Sequence, residues 1–140
     1  MRFWDSSALV ALLVDEPDSA RRAKQLGEDP VPAVWWATPV ECESAVQRRL
    51  REGALDTAGA RTARERLADL AAAWYETPPT PVLRTLATRL VRTHPLRAAD
   101  AVQLAAALAL ASALRRQIGF VCGDDRLAAA AETEGLPVIR

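Results

Sequence analysis

Met1-Arg2-Phe3-Trp4-Asp5-Ser6-Ser7-Ala8-Leu9 begins the sequence and carries its most informative local pattern. The apolar pair Phe3-Trp4 runs directly into an acid and two hydroxyl residues, and apolar residues then recur at helical spacing through Leu13. This pattern predicts a short buried strand that ends at Asp5, followed at once by a helix. Ligands of open α/β sheets bind outside the carboxyl ends of the strands, so Asp5 is a candidate functional residue.

The remaining sequence repeats this alternation of short apolar runs and longer segments with helical periodicity. Further strands are predicted at 34–37, 74–77, 119–122 and 137–139, and Pro30-Val31-Pro32 is predicted as a linker. Helices are predicted at about 6–14, 18–26, 38–53, 56–73, 82–93, 97–116 and 124–134. The strands are short and apolar rather than alternating, with 74–77 the weakest of them, which indicates a parallel sheet buried on both faces. The expected fold is a three-layer α/β/α domain over residues 1–140, with a short central parallel sheet of about four to five strands covered by helices on both faces.

Composition restricts the classes of function. Hydrophobic residues make up 50% of the chain and charged residues 26%, as in an ordinary globular protein, and the formal net charge is zero. A neutral chain has no overall field that attracts nucleic acid or a membrane surface. Any RNA binding must therefore use local arginine groups, such as those at 21–24, 48–51 and 115–116. Each of these groups is also consistent with a solvated helix face.

Cysteine usage and hydropathy both favour an intracellular protein. Cys42 and Cys122 lack the spacing of a metal site or a disulfide framework, and both are predicted to be reduced core residues. The longest apolar segment, 98–114, is interrupted by three polar residues and is too short to span a bilayer. The sequence also opens without an apolar export signal, so we expect no membrane association and a cytoplasmic location.

Four acids, Asp5, Glu41, Asp100 and Asp124, fall near the starts of helices in this scheme. Parallel connectivity brings these positions to one edge of the sheet. Each acid also has a local explanation: Asp5 and Asp124 can cap helices, Asp100 suits the helix dipole, and Glu41 fits a capping box with Thr38 as the N-cap. Two carboxylates 4 Å apart repel each other by roughly 4 kcal/mol at an effective dielectric of about 20. A cluster of four is therefore expected to share protons or to hold a cation.

The ligand type selects the cation. Hard carboxylate oxygens, with no histidine or cysteine pair beside them, suit Mg²⁺ or Mn²⁺ rather than Zn²⁺. Such ions activate water and stabilise the oxygens of a phosphoryl displacement. The chemistry that this site suits best is metal-dependent hydrolysis of a phosphodiester.

Four segments of the sequence resemble the motifs of PIN-domain proteins. They are Asp-Ser-Ser-Ala-Leu at 5–9, Thr-Pro-Val-Glu-Cys-Glu-Ser-Ala at 38–45, Leu-Arg-Ala-Ala-Asp-Ala-Val-Gln-Leu-Ala at 96–105, and Phe-Val-Cys-Gly-Asp-Asp-Arg-Leu at 120–127 with Gly-Leu-Pro-Val at 135–138. The likeness covers nearly the whole chain, with all four motifs in order. Its length is similar to that of the ribonuclease toxins of bacterial and archaeal toxin–antitoxin pairs, the VapC group.

The resemblance implies a single PIN domain with endoribonuclease activity that requires Mg²⁺ or Mn²⁺. It implies Asp5 and Asp100 as the principal metal ligands, with Glu41 and Asp124 completing the acidic site, directly or through water. Ser7 would orient Asp5. The same resemblance implies an RNA substrate, a homodimer and neutralisation by a small cognate VapB-type antitoxin.

Three titratable residues compete with these assignments. Glu43 follows Glu41 by two positions, about 200° around a helix, so only one of them can face the site. Glu41 is preferred because it matches the motif, and Glu43 is expected to face solvent beside Gln47. Asp125 is expected to be a first-turn acid rather than a site residue. His94, the only histidine, is interpreted as a loop residue rather than a general base.

Two further groups have more than one interpretation. Trp35 and Trp36 point to opposite faces of a strand. Both are expected to be buried in sheet–helix packing, although stacking on RNA bases is an alternative. Arg48, Arg49 and Arg51 follow Glu41 on one helix and could contact RNA or the antitoxin.

Other classes of protein fit less well or predict a different outcome. A receiver domain requires an acid after its third strand and a lysine near its last, whereas Lys24 is the only lysine. A haloacid-dehalogenase-like phosphatase requires an acid at position 7, which is Ser7 here. A catalytically inactive PIN-like module that binds RNA or protein remains the alternative function.

Overall fold

The computed structural model describes residues 1–29 and 31–140, and its centre is a parallel sheet of five strands in the order β3-β2-β1-β4-β5. The strands are β1 (Phe3–Trp4), β2 (Ala33–Trp35), β3 (Tyr75–Thr77), β4 (Phe120–Val121) and β5 (Val138–Ile139). The helices are α1 (Ser6–Leu13), α2 (Ser19–Gly27), α3 (Thr38–Arg51), α4 (Thr57–Ala71), α5 (Pro81–Thr93), α6 (Ala98–Leu114) and α7 (Asp125–Thr133). The predicted α/β/α architecture is confirmed. The predicted linker at 30–32 contains Pro30, which lies outside the described residues.

The two residues of β1 divide the core into its two halves. β1 lies at the middle of the sheet, where Phe3 pairs with Ala33 of β2 and with Phe120 of β4. Phe3 belongs to the core on the α5, α6 and α7 side, whereas Trp4 belongs to the core on the α1, α3 and α4 side. Successive side chains of a strand point to opposite faces, so a strand of two apolar residues is sufficient to anchor both layers.

The prediction that the long apolar helix is the most buried one is wrong: seven of the 17 residues of α6 are buried, against six of the eight residues of α1. Helix α6 packs against α5 and the sheet. Cys42 and Cys122 are free and buried, which confirms their interpretation as reduced core residues. Among the described residues, no helix combines the length and the apolar character needed to cross a bilayer.

The second strand is shorter than predicted, and Trp36 is not part of it. β2 ends at Trp35, which is 8% exposed, whereas Trp36 lies in the following turn with 55% of its surface exposed. The Trp36 amide donates to the carbonyl of Thr77 at 3.2 Å, which ties the turn to the end of β3. The prediction that both tryptophans are buried is therefore wrong for Trp36.

The capping box predicted at α3 is also wrong. Ala37 is the N-cap, Thr38 is the first helical residue, and Pro39 follows it. Thr38 is fully buried, and its hydroxyl has no hydrogen-bond partner among the described residues. The carboxylate of Glu41 is consequently not used to cap the helix and is available to the site.

Candidate active site

Asp5 is the buried carboxylate at the carboxyl end of the central strand. It caps α1, and its Oδ2 accepts hydrogen bonds from the Ser7 amide at 3.0 Å and from the Ser7 hydroxyl. In the described part of the chain, no donor reaches its Oδ1. Burial raises the pKa of Asp5 from 3.8 to about 6; the Ser7 hydrogen bonds oppose the shift, and the charges of Glu41 and Asp100 add to it.

Ser7 connects Asp5 to the loop after β4. While its hydroxyl donates to Asp5, the same oxygen accepts from the Gly123 amide at 3.0 Å. A Cβ at position 123 would lie 3.2 Å from the Ser7 Oγ, so a larger residue there would push the Ser7 hydroxyl out of its present position. The hydroxyl is thus held from both sides, and it fixes the rotamer of the Asp5 carboxylate.

Glu41 is held by Gln103 of α6. The Gln103 amide group donates to Glu41 Oε2 at 2.9 Å and to the Ser6 hydroxyl at 2.6 Å. Burial raises the pKa of Glu41, the hydrogen bonds from Gln103 and Ser6 oppose this, and the charge of Asp100 adds to it. One buried amide therefore joins α1, α3 and α6 beneath the site.

Asp100 and Asp124 complete the acidic group. Asp100 lies in the first turn of α6, where burial and then the charge of Asp124 raise its pKa, while Arg97 and Arg126 act in the opposite direction. Asp124 is the N-cap of α7, and its Oδ1 accepts from the Leu127 amide at 2.8 Å. Its second carboxylate oxygen has no partner among the described residues.

These residues surround one open cavity of about 490 Å³ at the carboxyl edge of the sheet. Three of the four predicted acids line it, and Asp5 is connected to it through Ser7. The described lining comprises Ser6, Ser7, Val10, Ala11, Glu16, Asp18, Arg22, Glu41, Ala45, Arg48, Arg49, Asp100, Gly123 and Asp124. The cavity lining therefore combines carboxylates with three arginines.

The side chains are not gathered into a preformed metal cage. Within residues 1–29 and 31–140, no three His, Cys, Asp or Glu side chains approach closely enough to form a metal-binding group. The acids instead share one cavity, where burial first and then the charges of neighbouring acids raise the pKa values of Asp5, Glu41 and Asp100.

The competing acids lie outside the cavity. Glu43 accepts from Gln47 at 2.9 Å, as expected, and Arg64 holds it in a bidentate pair. Asp125 is exposed and pairs with Arg140. Neither residue lines the cavity.

His94 and Arg51 are also separate from the acids. His94 is the C-cap of α5 and contacts Glu134 at 2.7 Å, which places it in the loop as predicted. Arg51 borders a shallow groove on another face of α3, so it differs from Arg48 and Arg49, which line the cavity. Arg49 is already paired with Glu16.

Two residues that support the site, Gln103 beneath the cavity and Arg22 in its lining, were not singled out by the sequence. Gln103 appeared only as an interruption of an apolar helix, and Arg22 only as part of an arginine group expected to be solvated. Arg22 is instead 1% exposed and hydrogen-bonded to the carbonyl of Cys122 at 2.9 Å. A polar residue within an apolar stripe was the available signal for Gln103; Arg22 gave none, because its partner is 100 positions away.

A second cavity, of about 410 Å³, lies between α5 and α6 and differs in chemistry. Trp35, Leu83 and Ala101 contribute to its mainly apolar lining, and no carboxylate occurs among the described residues that form it. It offers no acid–base or metal chemistry.

The sequence matches the PIN domain family model over residues 2–133. The chain belongs to the PIN domain family. This match confirms the family resemblance found in the four motifs, and it spans all four acids. No curated protein sequence matches this PIN domain.

Solved structures of similar fold include toxins and toxin–antitoxin complexes. The sarcin–ricin loop cleaving toxin VapC20 of Mycobacterium tuberculosis matches with a TM-score of 0.69 and 18% identity, over 93% of this PIN domain and 95% of that chain. VapBC2 of Rickettsia felis, bound to a DNA fragment from its promoter, matches with a TM-score of 0.68 and 10% identity, over 99% of this PIN domain and 96% of that chain. A toxin–antitoxin complex of Klebsiella pneumoniae matches with a TM-score of 0.64 and 15% identity, over 100% of this PIN domain and 97% of that chain. At these identities the likeness concerns the fold.

Proposed function

We propose that this PIN domain is an endoribonuclease dependent on Mg²⁺ or Mn²⁺, and that it acts as the toxin of a VapC-type toxin–antitoxin pair. The observation that carries the proposal is the single cavity lined by Glu41, Asp100 and Asp124, with Asp5 attached to it through Ser7. Membership of the PIN domain family and the similarity in fold to a toxin that cleaves the sarcin–ricin loop support it.

The donor set fits a hard divalent cation. Asp5 Oδ1 and one oxygen of Asp124 have no hydrogen-bond donor in the described chain, so they are available as ligands. Burial and mutual repulsion already disfavour the ionised acids, and a cation would relieve both effects. Mg²⁺ typically keeps several waters and is held by one or two carboxylates, so it does not require a preformed cage of three side chains. Asp5 and Asp100 would hold the ion, with Glu41 and Asp124 completing the site.

The surrounding residues prepare this site for phosphodiester hydrolysis. When bound, the ion supplies an activated water and charge stabilisation for the phosphoryl group. Ser7 fixes the orientation of Asp5, and Gln103 fixes that of Glu41. Arg48 lines the cavity, is exposed and has no partner in the described chain, so it is suited to bind an RNA phosphate.

The proposed partners are an RNA substrate, a cognate VapB-type antitoxin and a second copy of the chain. Structures of similar fold are described as VapBC or toxin–antitoxin complexes, which supports the antitoxin. The homodimer rests on the family resemblance alone.

One observation favours the alternative of an inactive binding module. No three acids of the described chain form a preassembled metal-binding group. An inactive module would have the same feature. The alternative predicts binding of RNA or protein without metal-dependent cleavage.

Cleavage of host RNA by the purified protein tests the proposal. Discrete fragments are expected with Mg²⁺ or Mn²⁺ and not with EDTA. Asp100→Asn should fold normally and reduce the cleavage rate by more than about 100-fold, because losing even an indirect partner of a metal ligand typically costs about 10- to 100-fold. The measurement is the initial rate on gels or by sequencing of cleaved ends.

Asp125→Asn is the matched control, since Asp125 is a neighbouring helix-start acid outside the cavity. It should cleave at the rate of the unmodified protein. Equal rates for Asp100→Asn and the unmodified protein would contradict the proposed site, whereas metal-independent RNA binding without cleavage would support the inactive module. Induced expression in the host should arrest growth, and co-expression of a cognate VapB-type antitoxin should restore it.

A further inference from the structure

Arg22 is a buried cation at the carboxyl edge of the sheet, beside the acidic cavity. It is 1% exposed, and its Nε has no partner among the described residues. Burying a guanidinium is costly unless its donors are used. The proposed function assigns no task to this side chain, which makes its remaining contacts informative.

The contacts of Arg22 connect α2 to the ends of β4 and β5. Nη2 donates to the carbonyl of Cys122 at 2.9 Å, and Nη1 donates to Gln25 at 2.9 Å and to the carbonyl of Ile139 at 3.4 Å. Cys122 directly follows β4, and Ile139 is the last residue of β5. Arg22 of α2 therefore binds the ends of two neighbouring strands.

The peptide between Cys122 and Gly123 is held at both of its polar groups. Its carbonyl accepts from Arg22, and its amide donates to the Ser7 hydroxyl at 3.0 Å. The Ser7 hydroxyl donates in turn to Asp5 Oδ2. A continuous chain of hydrogen bonds thus joins the guanidinium to the carboxylate of the central strand.

We propose that Arg22 is a positioning residue that sets the orientation of Asp5 through the Cys122–Gly123 peptide and the Ser7 hydroxyl. The inference rests on the proposed function for its effect on catalysis, but not for the hydrogen-bond chain itself. Planar peptide geometry transmits the constraint, because fixing the carbonyl also fixes the direction of the amide on the other side of the same bond. Indirect partners of this kind orient metal ligands in many sites.

A double-mutant cycle between Arg22→Gln and Ser7→Ala tests the proposal by Mn²⁺ affinity from calorimetry. Arg22→Gln alone should weaken Mn²⁺ binding by about 10- to 100-fold. In the Ser7→Ala background, the same change should weaken binding by less than about twofold, since the path to Asp5 is already broken. Equal effects of Arg22→Gln in the two backgrounds would show that it does not act through Ser7.

Arg21→Gln is the matched control, because it removes the same charge from the adjacent position. Arg21 is exposed and contacts Asp18 rather than the loop after β4. The Mn²⁺ affinity of the Arg21→Gln variant should stay within about twofold of that of the unmodified protein. A loss equal to that of Arg22→Gln would assign the effect to charge alone and overturn the proposal.

Gly123→Ala provides a second variant if Arg22→Gln does not fold. The added Cβ would lie 3.2 Å from the Ser7 Oγ, which crowds the Ser7 end of the link, whereas its distance of 3.6 Å from Arg22 Nη2 is an ordinary contact that leaves the cation in place. Gly123→Ala should weaken Mn²⁺ binding when Ser7 is present. In the Ser7→Ala background its effect should be much smaller, because the crowded oxygen is absent. Equal effects would again contradict the proposal.

Amide hydrogen exchange at Gly123 separates failure of this inference from failure of the proposed function. If the unmodified protein binds no Mn²⁺, the metal site is wrong, but exchange still reports the hydrogen bond to Ser7. Arg22→Gln should then accelerate Gly123 exchange by at least about tenfold relative to Arg21→Gln. Unchanged exchange would overturn the role of Arg22 independently of any metal.

Discussion

At the scale of single residues, Asp5 has opposing structural and electrostatic roles. Its carboxylate caps α1 and accepts two hydrogen bonds from Ser7, yet it is 4% exposed and faces other acids. A pKa raised from 3.8 to about 6 corresponds to an unfavourable contribution of about 3 kcal/mol at neutral pH. Between about pH 4 and pH 6 the Asp5 carboxyl is protonated in the folded protein but ionised in the unfolded chain. The free energy of unfolding therefore falls as the pH rises from about 4 to 6.

Asp5→Asn should therefore stabilise the metal-free protein at pH 7 by about 1–3 kcal/mol, because an amide accepts from Ser7 without carrying charge. At pH 4, where the carboxyl is protonated in the folded protein, the gain should disappear. Urea unfolding in EDTA at the two pH values is the measurement. Asp69→Asn, an exposed substitution on α4, is the control, and it should change the free energy of unfolding by less than about 0.5 kcal/mol at both pH values. An equal gain in stability from Asp5→Asn at both pH values would contradict the raised pKa of Asp5 as its cause.

Sequence order explains which site residues could be predicted. Asp5 and Asp124 were recognisable because each follows an apolar run and precedes a helix. The contacts of Arg22 and Gln103 were not predictable, even though Gln103 stood out as a polar residue in an apolar helix, because their partners Cys122 and Glu41 lie 100 and 62 positions away. Periodicity describes a local face and carries no information on such distant pairs.

At the scale of elements, two Thr-Pro dipeptides begin helices in different ways. At α5, Thr80 is the N-cap, and its hydroxyl accepts from the Leu83 amide at 3.1 Å. At α3, the helix begins one residue earlier, so Thr38 is helical and buried. The local sequence is equivalent at both sites. Tertiary burial decides the outcome at α3, which is why the capping box predicted there was wrong.

Thr80→Ala should destabilise the protein by about 1 kcal/mol, since the Leu83 amide loses its acceptor. Thermal or urea unfolding is the measurement, and RNA cleavage should be unaffected because Thr80 is outside the acidic cavity. Thr85→Ala on the same helix is the control. Its hydroxyl only donates back to the carbonyl of Pro81, and such bonds do not favour a helix, so its effect should be near zero. Equal losses for both variants would refute the capping role.

At the scale of the whole molecule, zero net charge makes nucleic-acid binding a local property. The fold class was predictable because short apolar strands between helices allow few architectures. The strand order β3-β2-β1-β4-β5 was not, since an apolar strand such as Phe3–Trp4 does not specify its neighbours. The order matters here because it brings Asp5 between the helices that carry Glu41 and Asp124.

RNA binding should therefore depend on a few arginines rather than on the overall field. In the Asp100→Asn background, which prevents cleavage, Arg48→Gln should reduce the slope of log affinity against log salt by about 0.7, the value for one phosphate contact on a single strand. Fluorescence anisotropy over a range of salt concentrations measures this slope. Arg61→Gln, an exposed substitution on α4, should leave it unchanged. Equal slopes for the two variants would exclude Arg48 as a phosphate contact.

The capping roles of Asp5 and Asp124 have a consequence for how this chain can diverge. Each uses one carboxylate oxygen to accept from a backbone amide at the start of a helix. A descendant released from selection for catalysis would still need a capping residue, such as Asp, Asn or Ser, at both positions. In the described structure Glu41 accepts from side chains and caps no helix, so a substitution there would leave the start of α3 intact. Loss of the proposed activity in a lineage should thus be recorded first at position 41, while an intact aspartate at position 5 says little about whether that activity persists.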